Sequence, residues 1–206
     1  VAVRLAATEA LGCYGPSASE AIPALIELLD DPLDPIREAA TTAIRQIGLL
    51  TELATQSLEA KLTHSDNLQR AQAAESLGEI GEAAEPAAEA LANSLKDEND
   101  FVRGKAAEAL GRIGAATAAV AIPALSASLQ DEDNTVKARA AEALGQMGSE
   151  ASAAIPALIT ALRCTNALVR GKVAETLGRL RAQEACPHLV ALSQDEDPAL
   201  RAQAVT

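Results

Sequence analysis

The sequence predicts an all-α fold, a right-handed α-solenoid of stacked antiparallel helix pairs with a repeat of about 33 residues. Three observations carry this prediction. A basic residue recurs at Arg4, Arg37, Arg70, Arg103, Lys137, Arg170 and Arg201, with successive spacings of 33, 33, 33, 34, 33 and 31. Around each copy lies a stretch like FVRGKAAEALGRIG, residues 101–114, whose Val102, Ala106, Ala109, Leu110 and Ile113 share one helical face. Finally, 49% of the 206 residues are hydrophobic but only 1% are aromatic, so the core must be packed with Ala, Leu, Ile and Val. Alanine favours helix and packs only where helices approach closely. No alternating β-branched run is long enough to suggest a strand.

The second helix of each unit is the charged one. Glu9, Glu75, Glu108, Glu142 and Glu175 recur five places after the basic column, and Leu11, Ile44, Leu77, Leu110, Leu144 and Leu177 seven places after it. Gly15, Gly48, Gly81, Gly114 and Gly148 stand eleven places on, where a left-handed glycine would stop the helix. The first helix reads AIPALIELLDD from Ala21, AIPALSASLQD from Ala121 and AIPALITALRC from Ala154. Pro23, Pro123, Pro156 and Pro187 fall in register there. Proline is tolerated in a first helical turn and kinks a helix that begins earlier. Polar turns such as DDPLDP, KDENDF and QDEDNT join the two helices and supply caps.

The units are 16–48, 49–81, 82–114, 115–148 and 149–181, between a partial unit 1–15 and a partial unit 182–206. Together they form a single repeat domain. Neither end resembles a polar capping repeat, which implies a longer natural protein or ends that are disordered or trimmed. Unit 49–81 is the least regular: Thr55 and Gln56 replace Ile-Pro, Gln69 replaces the apolar residue before the basic column, and His64 stands where other units have Asp31, Asp97, Asp131 and Asp195. This is either repeat drift or a local bend or contact site. The unit from Leu180 is two residues short and has Arg181 in place of the closing glycine.

The text V-R-x-x-A-A-E-A-L-G-x-I-G followed by A-I-P-A-L resembles HEAT repeats over nearly the whole chain, most closely the HEAT-like repeats named after phycobilisome lyases. The resemblance implies an Asp–Arg ladder between neighbouring units, with pairs Asp31/Arg37, Asp97/Arg103, Asp131/Lys137 and Asp195/Arg201. His64/Arg70 and Cys164/Arg170 interrupt it. One carboxylate can serve both a turn amide and a buried guanidinium. The functions implied are scaffolding, phycobilin attachment or removal on tetrapyrrole-bearing proteins, and an iron-dependent hydroxylase activity. The last relies on paired His-Glu motifs, and this chain has only His64 and His188, neither followed by Glu.

Nothing in the sequence marks a catalytic residue, a metal site or a cofactor. Cys186 replaces Ile22, Ile122 and Ile155 and reads as core, whereas Cys13 falls on the open face of its helix. The glycines follow helices and lack a phosphate-loop lysine. The net charge is −12, with 6 Lys+Arg against 18 Asp+Glu in residues 1–100 and 11 against 11 in residues 101–206. Such a balance disfavours nucleic acid and anionic membrane as partners. No apolar run approaches a bilayer span, and three cysteines without pairing spacing suit a reducing, cytoplasmic compartment.

What remains is the face of the second helices, which lines the concave side in HEAT solenoids. Lys105, Glu108, Arg112, Arg139, Glu142, Lys172, Glu175 and Arg179 form charge stripes there. They read either as a self-paired solvated face or as a groove for another protein. The expected function is therefore a non-catalytic scaffold that binds a protein partner. The alternative, from the resemblance alone, is a phycobilin lyase-type protein acting on a bilin or phycobiliprotein.

Overall fold

The computed structural model describes residues 2–14, 18, 20–47 and 52–193. The described residues form twelve α-helices and no strand: α1 (Ala2–Cys13), α2 (Ile22–Glu27), α3 (Asp34–Gln46), α4 (Glu52–Lys61), α5 (Asn67–Ile80), α6 (Ala88–Ser94), α7 (Asp100–Ile113), α8 (Ala118–Ser128), α9 (Asn134–Gln146), α10 (Ile155–Ala161), α11 (Ala167–Arg179) and α12 (Cys186–Leu192). Odd-numbered helices pack side by side as one layer, and even-numbered helices cover them as a second. The result is a helical solenoid, as the periodicity predicts.

Its core is a continuous ladder of aliphatic columns. Leu25, Leu58, Leu91, Leu125 and Leu158 come from successive even helices, and Ile44, Leu77, Leu110, Leu144 and Leu177 from the odd ones; all are essentially buried. Each such leucine contributes about 2 kcal/mol by leaving water. Because neighbouring units share these columns, no single pair holds a core of its own.

Helices α5, α7, α9 and α11 start at side-chain caps. Asp66 accepts from the Leu68 amide, Asn99 from Phe101 and Val102, Asp133 from Thr135 and Val136, and Asn166 from Val169. Helix α3 has Leu33 at this position and no side-chain cap, relying on Pro35 in its first turn. Pro23, Pro156 and Pro187 lie in first turns, whereas Pro123 lies inside α8. Unit 115–148 carries one extra residue, and its helix begins earlier than the others.

Gly15 and Gly48 lie outside the described residues, and two of the other closing glycines, Gly81 and Gly114, take a conformation different from the expected left-handed helical one. Gly81 has φ 76°, ψ −147° and Gly114 has φ 80°, ψ −147°, a region that essentially only glycine enters. A short 3-10 turn follows each. A β-carbon at Gly114 would meet no atom within 4 Å among the described residues, so the strain of a substitution is purely that of the backbone. Gly114→Ala is expected to cost about 1–2 kcal/mol in urea unfolding. At the matching position Arg181 holds φ 52°, the only positive φ outside glycine among the described residues. Arg181→Gly should therefore raise stability by about 1 kcal/mol, readable as a shift in midpoint at unchanged slope.

The stretch Asp100–Ser128 is long and apolar enough by composition to cross a membrane. It is folded as α7 and α8, doubled back at Gly114, and carries Arg103, Lys105, Glu108 and Arg112.

Candidate functional site: an interhelical charge ladder and the inner groove

Asp–Arg pairs do link the units, in a register different from the one the resemblance implies. Arg70 Nε and Nη2 donate to both carboxylate oxygens of Asp97, at 2.7 and 2.8 Å. Arg103 does the same to Asp131 at 2.7 and 2.8 Å, and Arg4 Nη1 donates to Asp31 at 2.5 Å. Each arginine thus reaches the carboxylate of the following unit, 27 or 28 residues on.

The pairs Asp31/Arg37 and Asp97/Arg103 are linked instead through backbone. Arg37 Nη1 donates to the Asp31 carbonyl at 2.6 Å and Arg103 Nη1 to the Asp97 carbonyl at 2.9 Å. The geometry explains this register. Asp31, Asp97 and Asp131 each cap the amide two residues on, at Leu33, Asn99 and Asp133, which turns their carboxylates toward the preceding unit. The arginine, one turn into its helix, reaches back over its own turn carbonyls while its free edge points to the next unit. Asp131 is likewise held by Arg103 rather than by Lys137. The residue 27 places after Lys137 is Cys164, which offers no carboxylate. Asp195 and Arg201 lie outside the described residues.

The carboxyls of Asp97 and Asp131 titrate below the ordinary aspartate value. Burial pushes both upward. The Arg70 and Arg103 hydrogen bonds, the turn amides and the nearby guanidinium charges outweigh it.

The second defect in the ladder is His64. Arg37 would meet it 27 places on, but the imidazole supplies no carboxylate. His64 Nδ1 accepts from the Asp66 amide at 3.0 Å, reproducing the cap of the aspartates without their charge. Arg37 turns instead to the exposed Asp34 on its own helix.

The eight residues singled out on the inner face are all engaged with one another or with a neighbour. Lys105 pairs with Glu75 of the preceding unit and lies 3.8 Å from Glu108; Arg112 and Arg139 meet Glu108 at 2.6 and 3.5 Å. Lys172 meets Glu142 at 3.4 Å and Glu175 at 3.5 Å, and Arg179 meets Glu175 at 2.6 Å. The stripes are thus an interhelical lattice. Partly exposed pairs of this kind contribute little each, and act together by fixing side-chain positions. Lys105 is further held over the Phe101 ring, 5.8 Å from its centre.

Another concavity lies one to two units nearer the N-terminus. A cavity of 840 Å³ touches four successive odd helices: Glu38, Thr42 and Arg45 of α3, Gly78 and Glu79 of α5, Gly111 and Arg112 of α7, and Gln146 of α9. Glu108, Arg112, Arg139 and Glu142 line a smaller one of 320 Å³ with Gln146. Glu79 is pushed above the usual glutamate value, first by burial and then by Glu75, against the opposing pull of Arg112, Arg45 and Lys105. Glu38, Thr42 and Arg45 escape a reading by columns because their unit departs from the consensus there. The readable signal was Arg45, which stands in a column otherwise filled by Gly12, Gly78, Gly111, Gly145 and Gly178.

Cys13 is exposed and lines a 380 Å³ hollow with Glu9 and Gln46. Cys186 is exposed too, contrary to its reading as core: α12 is the last described helix, and among the described residues none follows to cover it. Among the described residues no group of three His, Cys, Asp or Glu could hold a metal ion.

The fold and its inner groove define an α-solenoid of the helix-pair type. The sequence profile described as HEAT repeats matches residues 1–78, 55–134, 88–163 and 122–206, which together span the chain. The chain belongs to the HEAT-repeat family. No curated protein matches it. Among solved structures it is similar to the YibA protein of E. coli, with 21% identity over 89% of this chain and 68% of that one and a TM-score of 0.71. An archaeal HEAT-like repeats protein from Thermococcus onnurineus NA1 shares 13% identity over 98% of this chain and 89% of that one, with a TM-score of 0.65. An engineered protein shares 21% identity over 89% and 93%, with a TM-score of 0.63. At these identities the likeness is one of fold.

Proposed function

We propose that the chain is a non-catalytic scaffold that binds a segment of another protein along the groove of the odd-numbered helices. The observation that supports this most is the 840 Å³ cavity, continuous across α3, α5, α7 and α9, with Glu38, Arg45, Glu79 and Gln146 on its walls. The C-terminal lattice from Lys105 to Arg179 then acts as a stiff continuation of the groove, its charges already matched within the chain. The groove residues put forward are accordingly Glu38, Arg45, Glu79 and Arg112, ahead of Lys172, Glu175 and Arg179. The phycobilin reading rests on the sequence resemblance alone, and no contact described above favours it.

A random peptide library displayed on phage is a suitable probe. Peptides selected on the wild-type chain should bind at least about tenfold more weakly to a variant carrying Arg45→Glu and Glu79→Lys, which is about 1.4 kcal/mol. They should bind undiminished to Glu89→Lys on the opposite layer. Equal binding to all three proteins would remove the groove from consideration.

A further inference from the structure

The odd helices are joined by a recurring device. Gly12, Gly78 and Gly111 each sit directly against the backbone of Ala43, Ala109 or Ala143 on the next odd helix, close enough that a β-carbon would collide. The junctions α1/α3, α5/α7, α7/α9 and α9/α11 are closely packed in this layer, and α3 and α5 barely touch. Arg45 occupies the glycine column at that junction. Its counterpart on α5, in the column of Ala43, Ala109 and Ala143, is Ser76. A guanidinium side chain cannot lie in a Gly–Ala seam, and a 280 Å³ cavity lined by Arg37, Thr41, Gln72 and Ser76 stands between the two helices.

A further link is missing at the same junction. His64 leaves Arg37 without its cross-unit carboxylate. In the even layer beside it, Thr55 of α4, in the column of the buried Ile22 and Ile122, is buried with a hydroxyl that has no hydrogen-bond partner among the described residues. The even layer stays joined: Lys61 on α4 pairs with Asp30 and donates to the Ile26 carbonyl at 3.4 Å.

From this we infer that the α3/α5 junction is a hinge built into the solenoid. The body 2–47 swings against the body 52–193, with the even layer around Lys61 and Asp30 as pivot and the inner seam opening and closing. Packed seams have two discrete arrangements rather than a continuum, so a junction stripped of its glycine and its ladder pair is where bending concentrates. This inference stands independently of whether the groove binds a partner.

Paired spin labels test it in the full chain, after Cys13, Cys164 and Cys186 are replaced by serine. Gln46 and Arg112 stand in one column two units apart and straddle the α3/α5 seam. Arg112 and Arg179 stand in the same column, also two units apart, and straddle only packed seams. The first pair should give a distance distribution about twofold broader than the second. Adding Arg45→Gly and His64→Asp should narrow it to the width of the control. Equal widths in the parent protein would overturn the hinge. So would a folded Arg45→Gly/His64→Asp protein whose first distribution stays broad. If that double variant loses helical circular dichroism, His64→Asp alone is read in the same way, narrowing supporting the hinge and no narrowing overturning it.

Discussion

Asp131→Ala is expected to destabilise the protein by about 3 kcal/mol in urea unfolding at pH 7, among the largest single losses available to the chain. The side chains of Arg103 and Asp131 are only 15% and 10% exposed, and their two parallel hydrogen bonds are the sole side-chain carboxylate contact of that guanidinium among the bonds described. Truncation leaves the guanidinium half-satisfied by the Asp97 and Glu98 carbonyls and strips the Asp133 amide of its cap. Asp131→Asn separates the two effects: it can keep the cap and one hydrogen bond while losing the charge, and it should fall between wild type and Asp131→Ala.

The same pair gives the loss a pH signature. The folded carboxyl of Asp131 titrates below its unfolded value of about 3.9, so folding favours the ionised form. That contribution is fully present above the unfolded value. It is lost as pH falls through it and then through the lower folded value. The gap between wild type and Asp131→Ala should therefore be constant from neutral pH to about 5 and close at more acid pH. Glu79, raised by burial, acts in the opposite sense: its stabilisation is present at acid pH and lost as pH rises through its folded value.

Gly111→Ala is expected to cost about 2 kcal/mol, although alanine is the better helix former by about 1 kcal/mol. The added β-carbon would stand 2.8 Å from Ala143 Cα and 2.9 Å from its Cβ, so α7 and α9 must part along their length. Gly104→Ala in the same helix is the control. There the three atoms nearest the β-carbon all belong to the Arg139 side chain, at 3.2 Å and beyond, and that flexible chain can shift. This substitution should be neutral or stabilising by up to about 1 kcal/mol. Two identical exchanges seven residues apart thus differ in cost by about 2 kcal/mol or more. Thermal unfolding followed by circular dichroism resolves them, and losses of equal size would refute the close-approach account.

Much of this architecture is legible in the amino-acid sequence. The 33-residue period, the apolar columns and the capping Asp and Asn residues each follow from local rules, and they are repeated often enough to be self-checking. The irregularities of unit 49–81 were visible as well, in Thr55, His64 and Gln69. The columns also put Glu108, Arg112, Glu142 and Arg179 on one face, which is where they lie.

By itself, then, the sequence determined the helices, their order and the face each residue occupies, because these depend on spacing along one chain. Only the tertiary structure decided which residues meet. Asp97 sits six places before Arg103 and 27 after Arg70, and no rule of helical spacing says which arginine it holds; the stacking of units aims its carboxylate backward to Arg70. Nor does spacing show that Lys105, Glu108 and Arg139 neutralise one another, since their meeting depends on the separation of α7 and α9. That separation is set by Gly111 against Ala143, and its failure at Arg45 opens the seam between α3 and α5.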